Sequence, residues 1–161
     1  MRTTRFFVVT LAMTLLLGSL SSKSFAGNPH CSAVGGMILT NLGGFGTIDG
    51  LPTTMGVATG DLRGALGVQV TSASPDFTTI NVQHHWVTDT GETLNIDPAA
   101  LQGVYVDQGL LAVKDYKVHL SGGTGRYAHV TGDMNVIGEI DFNTGQAVLR
   151  YSGNVCSTGN E

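Results

Sequence analysis

Apolar and polar residues alternate over much of the chain from residue 62 onward. Residues 80–86, 116–120 and 134–142 place apolar side chains at every second position, with polar side chains between them. The pattern also covers residues 62–70, 94–96 and 146–156. A period of two is that of a β-strand with one buried face. The alternation therefore predicts an antiparallel all-β domain.

Glycine decides which kind of all-β domain this is. The chain has 23 glycines in 161 residues, roughly twice the usual share. Each interior glycine costs a helix about 1 kcal/mol, and the longest segment free of Gly and Pro after residue 26, residues 76–90, alternates like a strand. Asn143-Thr144-Gly145 predicts a hairpin turn. Glycines inside strands permit tight curvature, so a single closed β-barrel is favoured over the alternative, a β-sandwich.

The first 26 residues do not share this pattern. Arg2 and Arg5 precede an apolar run over residues 6–20, and Ser24-Phe25-Ala26 is a small-x-small cleavage site. This arrangement predicts a secretory signal peptide over residues 1–26 and a barrel domain over residues 27–161. The alternative, an uncleaved anchor, needs an apolar run of about 20 residues. We therefore expect an exported protein, either periplasmic or secreted.

Net charge narrows the choice of partners. Three of the eight basic residues lie within the predicted signal peptide, which leaves five basic against twelve acidic residues and a net charge of −7. Nucleic-acid binding needs a basic stripe, and an anionic membrane surface attracts cations. We expect no nucleic-acid partner, and no membrane association once the signal peptide is removed.

Two cysteines, Cys31 and Cys156, stand near the two ends of the predicted domain. Disulfides persist in the compartments that exported proteins enter. A bridge between them requires the first and last strands to be neighbours, as they are in a closed barrel. The sequence predicts this disulfide, and two free thiols are the alternative.

Residues 121–132 form the most distinctive run, Ser-Gly-Gly-Thr-Gly-Arg-Tyr-Ala-His-Val-Thr-Gly. Gly122, Gly123 and Gly125 permit positive φ and close backbone approach, and Arg126 is expected to tie the loop down through carbonyls or an acid. A phosphate cradle is the alternative. That motif ends in Gly-Lys-Ser/Thr, which this run lacks, so we predict a structural loop.

This loop, followed by a strand, a turn and residues 149–153, resembles the loop-strand-hairpin motif of the allene oxide cyclase-like and dirigent-like β-barrels. Residues 59–64 and 82–88 are similar to segments of small uncharacterised bacterial exported proteins of this type. The resemblance implies about eight antiparallel strands and a functional lumen. Dirigent proteins orient phenoxy radicals, and allene oxide cyclases hold a fatty-acid epoxide while it cyclises. Both form trimers or dimers, which implies self-association here.

His84 is the most informative titratable residue. It shares parity with Trp86 on an apolar face, and Glu92 shares parity with the apolar face of the next predicted strand. The hairpin between them predicts an acid–base pair. The alternative is a structural histidine in the core. Its neighbour His85 points to the opposite face, so no metal site is predicted.

The predicted ligand-binding residues are aromatic: Trp86, Tyr105, Tyr116 and Tyr151. No motif for a cofactor is present, and none is expected. The sequence therefore predicts a barrel that binds one small hydrophobic or aromatic molecule in its lumen. The first alternative is a cofactor-free isomerase, cyclase or stereo-directing protein. The second is a filled barrel that acts through its surface. Whether the protein is an enzyme is left open.

Overall fold

A computed structural model describes residues 30–157, without the side chains of residues 43–45. It contains nine strands: His30–Ile48 (β1), Leu51–Ala58 (β2), Gly64–Ala73 (β3), Thr79–Thr88 (β4), Thr93–Ile96 (β5), Ala99–Asp107 (β6), Leu110–Gly123 (β7), Val130–Asp141 (β8) and Gln146–Ser157 (β9). Within the described residues the only helical element is a 3₁₀ turn, Gly125–Tyr127, and no helix there is long and apolar enough to cross a membrane. The predicted signal peptide lies outside the described residues.

The strands form one closed antiparallel barrel. The sheet order is β3-β2-β1-β9-β8-β7-β5-β4, and β3 pairs with β4 to complete the ring. Strands β5 and β6 share a single position, because each pairs with β4 on one side and with β7 on the other. Proline has no N–H for the ladder, and Pro98 lies at the interruption. The barrel thus has eight strand positions, which confirms the predicted fold class.

The terminal strands are neighbours. Cys31 on β1 is directly opposite Cys156 on β9, and the two form a disulfide with their Cα atoms 3.9 Å apart. The same region of β9 also pairs with β8. The predicted disulfide is therefore confirmed, and it joins positions 125 residues apart in the sequence.

Alternating side chains line the interior, as the sequence predicted. The inward faces of β4, β7, β8 and β9 supply most of the buried apolar residues: Ile80, Val82, Trp86, Tyr116, Val118, Leu120, Met134, Val136, Ile140, Ala147, Leu149 and Tyr151. The outward positions between them are partly or fully exposed. The period of two on these strands therefore marks the wall of the lumen.

The barrel has two ends, a closed end and a mouth end. The closed end carries the chain termini of the barrel and the connections at residues 59–63, 89–92 and 124–129. The mouth end carries the turns at residues 49–50, 74–78, 107–109 and 141–145. Each strand runs from one end toward the other, so a residue's position along its strand fixes its depth in the lumen.

Tyr151 holds the closed end together from inside. Its hydroxyl accepts a hydrogen bond from the Leu62 amide at 2.9 Å and donates one to the Thr59 carbonyl at 2.9 Å. Gly36 makes this approach sterically feasible. A Cβ atom there would lie 1.8 Å from the Thr59 carbonyl oxygen and 2.6 Å from the Tyr151 hydroxyl. Only glycine fits at this crossing of β1, the β2–β3 connection and the tyrosine.

Candidate functional site

The lumen contains a cavity of about 220 Å³. Aliphatic and aromatic side chains make up most of its lining, and none of the described residues that line it is Asp, Glu, Lys or Arg. The polar side chains in the wall are three threonines, a histidine, a tryptophan and two tyrosines: Thr40, Thr53, Thr54, His84, Trp86, Tyr116 and Tyr151. The site is therefore an apolar chamber with a few polar groups, as ligand pockets usually are.

Three neighbouring aromatic rings lie at the mouth of this cavity. Phe77 and Phe142 both line it, yet their side chains are 50% and 36% exposed. Their ring centroids lie 6.1 Å apart, and the ring of Tyr105 lies 6.3 Å from that of Phe142. Phe77 has a φ of 57°, which is uncommon for a bulky residue. The chain thus holds an apolar ring at the entrance in an unfavourable backbone conformation.

Three of the four predicted aromatic ligand-binding residues line the cavity. Trp86, Tyr116 and Tyr151 do so, whereas Tyr105 is 41% exposed and stands outside the lining. Irregularities in the β6–β7 pairing occur on both sides of this residue, between Gln102 and Gly103 and between Tyr105 and Asp107. Such bulges bend a strand and redirect its side chains. The prediction that Tyr105 lies in the lumen is therefore wrong. Its side chain lies on the outer side of the mouth.

His84 and Tyr116 form the polar centre of the lumen. The ring nitrogen Nε2 of His84 is in a short hydrogen bond with the Tyr116 hydroxyl, and the two rings stack with centroids 5.8 Å apart. Burial, with a smaller contribution from the charge of His85, lowers the pKa of His84 to about 4. Burial raises the pKa of Tyr116. Both groups are therefore neutral near pH 7.

The structure does not bring His84 and Glu92 together. The β4–β5 register places Trp86 opposite Leu94, which puts Glu92 opposite Thr88, four residues along β4 from His84. Four strand residues span about 13 Å. The Glu92 carboxylate instead accepts hydrogen bonds from the hydroxyls of Thr88 and Thr90. The turn therefore places Glu92 at the closed end, beyond the lumen, and the predicted acid–base pair is not formed.

The carboxyl group of Glu92 is held in its ionised form at the closed end. Hydrogen bonds from Thr90 lower its pKa most, followed by those from Thr88 and the charge of Arg126. Nε of Arg126 is 3.6 Å from the carboxylate, and Nη2 donates to the Thr90 hydroxyl at 3.1 Å. Arg126 thereby ties the glycine-rich loop to the β4–β5 turn.

The glycines of that loop serve the backbone geometry. Gly125 has a φ of 56°, in the left-handed region, and a Cβ at Gly123 would lie 2.1 Å from the Thr93 carbonyl oxygen; Gly122 lies just before them at the end of β7. Amides of the loop bond within the protein, since Thr124 donates to Thr93 and Tyr127 donates to Thr124. The loop packs onto the closed end, opposite the mouth.

The sequence analysis missed the contribution of β1 and β2 to the site. Ile38 and Thr40 on β1, and Thr53 and Thr54 on β2, are buried and line the cavity. Outward positions on these strands are also apolar, including Met37 and Leu39, so no alternation marks the inner face. Among residues 30–157, no group of three His, Cys, Asp or Glu side chains is arranged to hold a metal ion.

The closed eight-stranded barrel and its central chamber define the class: this is a dirigent-like β-barrel fold. The chain is similar to the solved structure of a pterocarpan synthase dirigent protein. The two share 12% sequence identity and a TM-score of 0.51, and the match covers 83% of this chain and 88% of the other. No protein-family model and no curated protein sequence matches the chain. At this identity the likeness shows the fold alone.

Proposed function

We propose that this protein binds one small, largely apolar molecule in the barrel lumen. The observation that carries the proposal is the apolar cavity of about 220 Å³ that opens at an aromatic mouth. An engineered apolar cavity of about 150 Å³ binds benzene, so this chamber suits a compound of one or two small rings. Apolar burial and ring contacts would supply the affinity.

The energetic cost of an empty cavity supports the same proposal. A core with a cavity of this size is less stable by about 5 kcal/mol than one in which side chains fill the space. That is comparable to the whole stability of a small domain. The cavity also argues against the alternative of a filled barrel that acts only through its surface.

Binding is favoured over acid–base catalysis by the chemistry of the wall. A histidine whose pKa is about 4 is a weak base at neutral pH, and general catalysis works best when the pKa is near the working pH. No carboxylate lines the cavity among the described residues. A stereo-directing role needs no such groups, and the dirigent-like fold supports it as the second candidate. The cyclase alternative has only the resemblance to allene oxide cyclases behind it.

The experiment uses Trp86 as its reporter, because it is the only tryptophan in the chain and it lines the cavity. A panel of small aromatic compounds is titrated while tryptophan fluorescence is measured. Val136→Phe fills the lumen, and Asn135→Phe, on the outer face of the same strand, is the matched control. We expect saturable binding to wild type and to the control, with at least a ten-fold loss for Val136→Phe.

A second lumen-filling variant, Ala147→Leu, keeps this test informative if Val136→Phe does not fold. Circular dichroism confirms the fold of each variant. Equal affinity of wild type and a folded lumen-filling variant would place binding elsewhere. The absence of saturable binding across the panel would remove the proposal.

Export is proposed on the basis of the disulfide and the predicted signal peptide. The Cys31–Cys156 bridge requires an oxidising compartment to persist. A mature protein beginning at Gly27 should be recovered from the periplasm or the medium of a bacterial host. An intact mass that retains residues 1–26 would contradict this proposal.

We also propose that copies of this chain associate through the outer wall that runs across β4, β3, β2, β1 and β9. Directly opposed residues form one apolar row on this wall: Val87, Ala65, Val57, Leu39 and Val148. All five are exposed. With nearby Met37, Met55 and Ile137 they present on the order of 500 Å² of apolar surface, a size at which the largest patch of a monomer is often functional.

Sedimentation of wild type, Leu39→Lys and Val104→Lys tests this association. Leu39 lies in the row between Val57 and Val148, whereas Val104 is similarly exposed but lies on β6. We expect wild type and Val104→Lys to be oligomeric and Leu39→Lys to be monomeric. A monomeric wild type would overturn the proposal.

A further inference from the structure

Two buried polar atoms in the wall of the lumen have no hydrogen-bond partner in the protein. They are Nε1 of Trp86 and Nδ1 of His84, and they are the only such side-chain atoms among the described residues. The two side chains are 3% and 6% exposed, and both line the cavity. An unpaired buried polar group costs about 1–3 kcal/mol. Such atoms require an explanation, and both belong to side chains that line the same chamber.

The chemistry of these atoms restricts what can pair with them. The indole N–H of Trp86 is a donor only. His84 is already bonded to the Tyr116 hydroxyl through Nε2. If Tyr116 donates that bond, Nδ1 carries the proton and is a second free donor. In either tautomer the lumen offers at least one donor, so its complement is a hydrogen-bond acceptor.

Charge restricts the acceptor further. The lining has no Lys or Arg among the described residues. Each of the four turns at the mouth end carries an aspartate and no basic residue: Asp49, Asp76, Asp107 and Asp141. A carboxylate ligand would pass an acidic rim and then lose its hydration with no cation to pair with. A neutral acceptor avoids both costs.

We propose that the lumen selects uncharged aromatic or apolar molecules with one carbonyl-type oxygen, which enters first and accepts the hydrogen bond of Trp86 Nε1–H. This deepens the binding function proposed above and rests on it. Trp86 lies in the closed-end half of β4, so the oxygen points inward while the apolar part of the molecule contacts the mouth. His84, two residues nearer to the mouth on the same face, contacts the ring beside the carbonyl group. Pure hydrocarbons leave the donor unpaired, and fatty-acid anions lack a counter-charge.

Three probes of nearly equal size separate these classes: acetophenone, isopropylbenzene and benzoate. Isothermal titration calorimetry measures each of them on wild type and on Trp86→Phe. One hydrogen bond is worth up to roughly ten-fold in affinity. We expect Trp86→Phe to lower acetophenone affinity about ten-fold relative to isopropylbenzene, and benzoate to bind at least a hundred-fold more weakly than acetophenone.

A second measurement needs no variant. The single tryptophan gives one indole N–H signal in a ¹H–¹⁵N spectrum. A new hydrogen bond should move this signal downfield with acetophenone but not with isopropylbenzene. Equal shifts with both compounds, or an unchanged affinity ratio in Trp86→Phe, would overturn the inference.

The failure of the inference and of the proposed function give different results. If aromatic hydrocarbons from the fluorescence panel saturate the lumen while acetophenone has no advantage over isopropylbenzene, the binding function stands and the acceptor specificity is wrong. Tight binding of benzoate would also remove the specificity. If no compound binds wild type in either experiment, both proposals fail.

Discussion

The closed end and the mouth end of the barrel are held together in different ways. At the closed end, covalent and charged links join separate parts of the chain: Cys31–Cys156, Arg63–Asp89 at 2.8 Å and Arg126–Glu92 at 3.6 Å. At the mouth end, Asp76 and Asp141 bond to residues of their own turns, and aromatic rings are exposed. The difference indicates that one end is a scaffold and the other is the entrance, which is how binding sites are commonly mounted on rigid frames.

Removing the disulfide is expected to have the largest effect on stability. A cross-link that closes a loop of this length stabilises by about 3–5 kcal/mol, because it restricts the unfolded chain. The variant Cys31→Ala/Cys156→Ala should lose that amount in urea unfolding. Its affinity for lumen ligands should stay within two-fold wherever it is folded. A loss of less than 1 kcal/mol would show that the closed end does not depend on this bond.

Acidification should destabilise the folded protein through His84, which lies between the two ends of the barrel. In the unfolded chain His84 takes up a proton near pH 6.5, whereas in the folded protein its pKa is about 4. Between these values the unfolded state binds more protons, so stability falls as the pH falls. The expected loss is about 3 kcal/mol between pH 6.5 and pH 4.

The control for this pH effect is the adjacent histidine. His85 points outward and is exposed. Chemical unfolding across the pH range should show a shallower dependence for His84→Gln, while His85→Gln should keep most of the wild-type slope. Identical slopes in wild type and His84→Gln would assign the effect to other groups.

The contrast between strands and connections also explains what the sequence could predict. On β4, β7 and β9 the inner face is apolar and the outer face is mostly polar, so alternation identified Trp86, Tyr116 and Tyr151 as lumen residues. Strand β1 is apolar on both faces, since Leu39 is exposed and Ile38 is buried. Apolar and polar residues therefore do not alternate along this strand. Local patterns therefore fail where a strand has two apolar surfaces.

Bulges and turns caused the errors at the site. Tyr105 was predicted in the lumen as an aromatic residue, but β6 is irregular on both sides of it, and its ring lies at the outer side of the mouth. The hairpin was also expected to bring Glu92 close to His84, but the register of β4 and β5 sets Glu92 beside Thr88 instead. The pairing of His84 with Tyr116 joins β4 and β7 over 32 residues, and no spacing along the chain encodes such a contact.

A pair of tyrosine variants compares the two ends directly. Tyr151→Phe removes the hydroxyl that bonds Leu62 and Thr59 at the closed end, and leaves a buried amide unpaired. This should cost about 1–3 kcal/mol. Tyr105→Phe at the mouth removes an exposed hydroxyl and should change stability by less than about 0.5 kcal/mol. Thermal unfolding of both variants measures the difference, and equal losses would remove the distinction between the two ends.

The smallest effect on stability, with a clear effect on binding, is expected at Phe77. This residue has a positive φ, which asparagine adopts more readily than phenylalanine, so Phe77→Asn should relieve the backbone while removing a ring from the mouth. Stability should stay within about 0.5 kcal/mol of wild type. Loss of one aromatic contact of about 1 kcal/mol should weaken the binding of an aromatic ligand about five-fold, as measured by calorimetry. Unchanged affinity would mean that the ligand lies wholly below the rim, and the entrance would then end at Phe142 and the threonines of β2.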